Sequence, residues 1–398
     1  MSLINADVSQ AVTLIEQLSV ASPKLSSGDQ TARKEALELS RKVTASLEQP
    51  GDAAVGLAFA PFITIAARIA VGLGLFKHVV NYGDAVTSEE LASLSGGEEL
   101  LIIRVLRPLS AIGFVEEVGE RKWKATPITN AMATDEIAAG HRMIGEMIIG
   151  AATKGPKYLE EVGYRCPTDP HDGFMQYAFQ TKFNVFGLFN SMPRVLNDFN
   201  LFMGNTLGAR NYWVDWYPIE EQLLNEINAE TPLLVDVGAG KGHDLIAFRE
   251  KYPNHEGRLI LQDIAPVIDN IQGIDPDIEL MTYDFFSEQP VKGARSYFFH
   301  HILHDWSNYK CLEILKNVKK AIKPGYSKLL LHEMILAEQG APVFHAMLDM
   351  TMMAFNSGME RTQRQWKELL EEAGLEVVKF WLPPQEDADG IVEAMLKE

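Results

Sequence analysis

Along the chain the spacing of apolar residues changes period twice, and each change marks a change of architecture. Residues 4 to 19 and 30 to 48 carry apolar positions at i, i+3 and i+4, which predicts two amphipathic helices joined by the loop SPKLSSGDQ. From about 57 to 130 the pattern predicts three helices and then a short hairpin in EEVGERKWKATPIT, a winged-helix outline. Thr87 and Glu90 have capping-box spacing and mark a helix start before Leu91 and Leu94. The longest apolar run, VGLAFAPFITIAARIAVGLGLF, is interrupted by Pro61, Arg68 and several glycines, and it is read as a buried helix and not a membrane span. Residues 135 to 225 read as helical and rich in aromatics. After 231, PLLVDVGAG, GRLILQD, IELMTYDFF, ARSYFFHHIL and SKLLLHEMIL are apolar runs of strand length separated by helical segments. That alternation predicts a mostly parallel, doubly wound sheet, and EVVKFWLP offers one more strand.

The expected organisation is therefore N-terminal amphipathic helices over 1–50, a winged-helix-like domain over 51–135, a helical linker over 136–225 and an α/β domain over 226–398. A chain of 398 residues exceeds what one core ordinarily serves. Its 36 basic against 54 acidic residues leave a net charge of −18, which repels phosphate backbones and anionic lipid surfaces. Between 57 and 130 there are seven basic and eight acidic residues, so the winged-helix region lacks the basic face of a DNA reader. It reads instead as a dimerising domain that walls a pocket, with no nucleic-acid or membrane partner. The two cysteines, Cys166 and Cys311, form neither a disulfide framework nor a cysteine zinc site, and MSLINADVSQAVTLIEQLSV lacks the basic and long apolar regions of a signal peptide. Both features fit a reducing, cytoplasmic setting.

The run DVGAGKG follows the strand PLLV and opens the helix HDLIAFREKY, the context of a nucleotide-type cofactor loop. The loop is G-x-G-x-G, with Asp236 two residues before Gly238 and Gly240 two after it. A carboxylate there repels a pyrophosphate but suits the cationic amino group of S-adenosylmethionine. Asp263, ending the next strand, can accept from both ribose hydroxyls. Asp284 and Phe285 close the third strand, where an acid and an aromatic can receive an adenine. Taken singly each acid could be a cap or a loop carboxylate; three at successive strand ends beside a glycine loop form a set.

FFHHILHDWS raises two chemistries, a metal site and a general base. With 298–302 as a strand, His300 and His301 point to opposite faces, and both cannot line one site with His304, so no metal is expected. Glu333 and Glu360 lie beyond a predicted strand and before a predicted helix. Their carboxylates would raise the basicity of His304 if they met it. The bland alternatives are a satisfied structural histidine and, for Glu360, decoration of the helix start that Thr362 and Gln365 cap.

In the order VDVGAGKGH, LQD, YDFF, HHILHDWSN, LLLHEMIL and NSGMERT, the sequence from about residue 55 onward resembles the S-adenosylmethionine-dependent O-methyltransferases of the caffeic-acid type, in the branch common in fungal secondary metabolism. The resemblance implies a Rossmann-like class I methyltransferase fold, a transferase acting on a small aromatic substrate, and a homodimer in which N-terminal helices cover the partner's pocket. It implies His304 as general base with Glu333 and Glu360 holding its ring. It implies cofactor contacts at Gly238, Asp263, Asp284 and Phe285, and substrate contacts at Met352 and Asn356. Position 300, a lysine or arginine in that family, is His300 here, a weaker candidate cofactor contact. Phe179, Met203 and Asp305 complete the expected substrate wall. Relatives of this fold that bind the same cofactor yet catalyse pericyclic steps lack the base–acid trio, so its presence here argues against a pericyclase, which is kept as the alternative reading.

Overall fold

The structure, a computed structural model, describes residues 8–206, 212–225, 227–383 and 388–396. The first four residues of the first expected helix, and 207–211 of the aromatic stretch, lie outside the described residues. The chain divides into two compact units, Met1–Ala133 and Thr134–Glu398.

In the first unit the helices Val8–Ser26 and Gln30–Leu47 pack on each other. Their buried positions are alanines, Ala11 and Ala21 on one and Ala32 and Ala36 on the other. Small side chains let the two backbones approach closely. Gly28 turns the chain at φ +79°, and Asp29 caps the second helix by accepting from the Thr31 and Ala32 N–H groups. The helices Leu75–Tyr82, Ser88–Ser95 and Glu99–Ala111 surround Phe76, Val79, Leu91, Leu106 and Leu109, and the hairpin Val115–Gly119/Lys122–Ala125 closes that core through Val115 and Trp123. A two-residue strand, Val86–Thr87, pairs with the hairpin. The Thr87–Glu90 capping box forms as expected.

The longest apolar run departs from expectation. It forms two successive helices, Pro50–Phe59 and Pro61–Gly72, because Pro61 has no N–H to continue the ladder. Nothing in the first is buried, and the second buries only Ala66, Ala67 and Ala70. Val55, Leu57, Phe59, Phe62 and Ile65 are exposed, so the run is not a core helix of this unit. By length and composition alone, Pro50–Gly72 is long and apolar enough to cross a membrane.

The second unit begins with helices from Asp135 to Thr206 that bury Met147, Tyr158, Phe174, Met175, Val185 and Phe189 against Phe355 of the helix Val343–Asn356. The sheet follows, with strands β1 (Pro232–Val237), β2 (Arg258–Asp263), β3 (Ile278–Thr282), β4 (Ser296–His300), β5 (Lys328–Glu333), β6 (Leu375–Trp381) and β7 (Gly390–Leu396). Their order across the sheet is β6-β7-β5-β4-β1-β2-β3, parallel except at β7, which runs antiparallel to both β5 and β6. This is the doubly wound, mostly parallel sheet that the sequence predicts. Alternate residues serve opposite layers: Tyr297, Phe299, Leu329 and Leu331 face one core, Phe298, Leu330 and Ile391 the other. Sequence reasoning did not find β7, whose alternation is obscured by Glu393. That carboxylate is buried and paired with Lys328 at 2.6 Å.

The strand order reverses between β1 and β4, which are neighbours in the sheet, and the crevice at such a switch point is where ligands bind open α/β sheets. The glycine loop leaves the end of β1 and the histidine run leaves the end of β4.

Candidate active site

The glycine loop is shaped for close backbone approach. Gly238, Gly240 and Gly242 all have positive φ, and a Cβ on Gly238 would stand 2.6 Å from Ile302 Cδ1. Asp263 Oδ2 accepts the Gly240 N–H at 2.8 Å, which ties the end of β2 to the loop. Asp236 is buried and its Oδ2 has no hydrogen-bond partner. Burial first, then the negative charges of Asp244 and Asp263, push its carboxyl well above the usual range. A cation placed beside it would reverse that shift. Burial likewise raises Asp263, against the pull of the Gly240 and Ile264 N–H groups. Phe285 reaches the loop, 3.9 Å from the position of a Gly238 Cβ, whereas Asp284 is exposed and caps its own turn by accepting the Phe286 N–H at 2.9 Å. An orphaned acid, a side-chain-free cradle and a second acid at adjacent strand ends fit S-adenosylmethionine.

His304 lies in a short 3-10 turn, Leu303–Asp305, beyond β4. Its Nδ1 is 2.8 Å from Glu360 Oε1, and Glu360 is itself buried. An Nδ1–H donated to Glu360 leaves Nε2 as the free acceptor. Nε2 lies 3.6 Å from Asp305 Oδ1. Glu333 takes a different part from the one expected. Its Oε1 accepts the Leu303 and Ile302 N–H groups at 2.8 and 3.2 Å, while its Oε2 stays 3.9 Å from His304 Nδ1. It holds the turn and acts on the ring through its charge. Burial pushes the His304 imidazole down, but Glu360, Glu333 and Asp305 together raise it well above 6.5. Burial raises the Asp305 carboxyl to about 7 despite the neighbouring imidazole.

Two residues that sequence reasoning passed over lock this turn. Arg361, fully buried, donates to Leu303 O at 3.0 Å and Trp306 O at 2.8 Å and lies over the Trp366 ring. Gly358 passes so close to the turn that a Cβ there would meet His304 O at 2.2 Å. The signal for both was present in NSGMERT, next to the glutamate that was chosen.

The histidine run corrects the strand-alternation argument. β4 ends at His300, and His301 takes φ +51°, so the alternation stops where the reasoning needed it to continue. The His300 and His301 rings lie 4.6 Å apart, and His301 stacks on His304 at 4.9 Å. His300 Nδ1 pairs with Asp244 Oδ2 at 2.8 Å.

The aromatic stretch divides into buried and exposed groups. Phe174 and Phe189 are buried, Phe186 is half-buried, and Phe179, Phe183 and Met203 are exposed. Phe186 packs on Phe355 and on Trp306, while Trp306 also packs on Phe285, so one ring of the HDW turn joins the aromatic cluster to the cofactor end. Met352 is buried on the helix that carries Phe355. Asn356, expected at the substrate, is a brace: its Oδ1 accepts the Val185 N–H and its Nδ2 donates to Asp305 O.

Comparison with known proteins gives a consistent result. The O-methyltransferase domain family matches residues 214–376. O-methyltransferase penC of Penicillium thymicola is 49% identical, over 96% of each chain. The structure of LepI in complex with S-adenosylmethionine superposes with a TM-score of 0.88 at 31% identity, over 97% of this chain and 100% of that one. A structure of a pericyclic reaction enzyme superposes with a TM-score of 0.88 at 31% identity, over 97% and 99%.

Proposed function

The chain belongs to the S-adenosylmethionine-dependent O-methyltransferases, and from that premise we propose that it methylates a phenolic hydroxyl of a small aromatic secondary metabolite of polyketide or meroterpenoid type, with His304 as general base. The observation that carries the reading is the buried His304–Glu360 pair, 2.8 Å, on a turn whose Trp306 also packs on the aromatic cluster.

A phenol ionises near pH 10 and an ordinary imidazole near 6.5, so a more basic imidazole narrows the gap the proton must cross. His304 Nε2 takes the phenolic proton, and Glu360 stabilises the imidazolium that results. When bound, the cofactor would supply an electrophilic methyl on a sulfonium for transfer to the phenolic oxygen. Asp236 would hold its amino group, Asp263 its ribose and Phe285 the adenine face. Charge annihilates as an anionic oxygen meets a sulfonium, so a dry wall of Phe186, Phe355 and Met352 assists transfer. In-line placement contributes roughly 7–11 kcal/mol and positioned proton transfer about 10²- to 10⁴-fold.

A second reading, a pericyclase that keeps the cofactor intact, draws on the likeness to the pericyclic reaction enzyme. Incubation with a panel of phenols separates the two. S-adenosylhomocysteine formed together with a product heavier by one methylene supports methylation; conversion without S-adenosylhomocysteine supports the pericyclase.

For the first unit we propose a winged-helix dimerisation role. Val55, Leu57, Phe59, Phe62 and Ile65 of Pro50–Gly72, and Ile15, Val20 and Leu37 on the preceding helices, are exposed apolar side chains, and a second copy of the chain is the occupant proposed.

A further inference from the structure

Beside the glycine loop lies a cluster of which the methyl-transfer reading uses only His300, as a weaker candidate cofactor contact. Parallel pairing of β4 and β5 puts His300 opposite His332, and their rings lie 4.1 Å apart. Asp244, on the first turn of the helix that follows the glycine loop, reaches the same point. His301 and Asp389, 3.2 Å from each other, flank it. Three imidazoles and two carboxylates thus converge at the carboxyl ends of two adjacent strands.

The cluster is not internally satisfied. His332 and Asp244 are buried at 6% and 7% relative exposure, yet His332 Nδ1, Asp244 Oδ1 and His300 Nε2 have no hydrogen-bond partner. One ligand atom from each of Asp244, His300 and His332 lies within 4.8 Å of the others. Around an ion with bonds of about 2.0–2.2 Å these atoms would stand roughly 3.4 Å apart, a closure that side-chain rotation can supply.

We propose that Asp244, His300 and His332 form a binding site for a divalent transition ion of the zinc class. Two imidazole nitrogens and one carboxylate oxygen match that class better than the all-oxygen preference of magnesium or calcium. The dianionic pair Asp244 and Asp389 offsets the ion's charge, and His301, bonded to Asp389, stands beside the fourth position. The ion would fix the helix start that carries the glycine loop. This site is separate from His304, Glu333 and Glu360, which also place one ligand atom each within 4.8 Å of one another.

The test uses the full-length, tag-free chain, stripped with a chelator and titrated with zinc by calorimetry and with cobalt by visible absorption. One ion per chain is expected, with a cobalt d–d band of nitrogen/oxygen character. His332→Val and Asp244→Asn should weaken binding by about 10²-fold or more, while His304→Ala leaves it unchanged. Circular dichroism confirms folding of each variant, and His332→Gln, which keeps a polar group on the strand, replaces His332→Val if that variant does not fold. Absence of stoichiometric binding, undiminished binding in the folded His332 and Asp244 variants, or loss in His304→Ala would overturn the proposal. None of these readouts needs substrate, so they stand or fall apart from methyl transfer.

Discussion

His304 Nδ1 and Glu360 Oε1 face each other at 2.8 Å in a site where both residues are buried, so an Nδ1–H donated to Glu360 would leave Nε2 as the acceptor. The base must be neutral to accept a proton, and its pKa stands well above 6.5. Activity should therefore rise with pH through a value above 6.5. Glu360→Gln removes one of the charges that raise the imidazole, so its acid limb should move to lower pH by about one unit or more. The kcat/KM at the optimum should drop roughly 10- to 100-fold as the imidazolium loses its partner. A pH–rate profile checks both, and a limb that stays in place would separate Glu360 from the base.

The glycine loop gives a prediction about binding alone. Gly238→Ala places a Cβ 2.6 Å from Ile302 Cδ1 at φ +74°. The dissociation constant of S-adenosylmethionine by calorimetry should increase about tenfold or more, equivalent to roughly 1.4 kcal/mol. Wild-type affinity in a folded variant would show that the backbone does not approach the cofactor there.

Lys328 and Glu393 are a buried pair, 2.6 Å apart, and Glu393 Oε2 also accepts from Tyr217 and Trp381. Lys328→Met leaves that carboxylate buried without its cation. The second unit should lose about 3–5 kcal/mol in urea unfolding, and a loss under 1 kcal/mol would mean that Glu393 is satisfied by its neutral donors.

On the first unit, Phe59→Asp together with Phe62→Asp puts charge on an exposed apolar face. Light scattering should find a dimer for the wild-type chain and a monomer for the double variant. A wild-type monomer would remove the dimerisation role, and wild-type chain that pellets with lipid vesicles would assign the face to a membrane.

Much of the α/β unit was legible because its central strands are buried on both faces and read as continuous apolar runs, each with a polar residue at or near its end: Asp236 and Asp263, then His300 and Glu333. β7 was missed because a buried carboxylate, Glu393, interrupts its pattern; Lys328 on the neighbouring β5, with the donors Tyr217 and Trp381, makes that burial tolerable. Glu360, Gly358 and Arg361 all stand in NSGMERT, but the bonds of Arg361 to the backbone of a turn 55 and 58 residues away follow from the fold and not from the motif. The histidine run was misjudged at a single torsion. A positive φ at His301 is rare for a side chain with a Cβ, and it turns an alternating strand end into a cluster. The run over Pro50–Gly72 has the composition of a core helix, and composition does not say whether the core is within one chain.

The central claim is that His304 takes the substrate proton while the cofactor site stands independently of it. With a phenol that the wild-type enzyme methylates, His304→Ala should bind S-adenosylmethionine within a few-fold of wild type by calorimetry. Its single-turnover rate of S-adenosylhomocysteine formation should fall by about 10²- to 10⁴-fold. An unchanged rate, with binding intact, would contradict the claim.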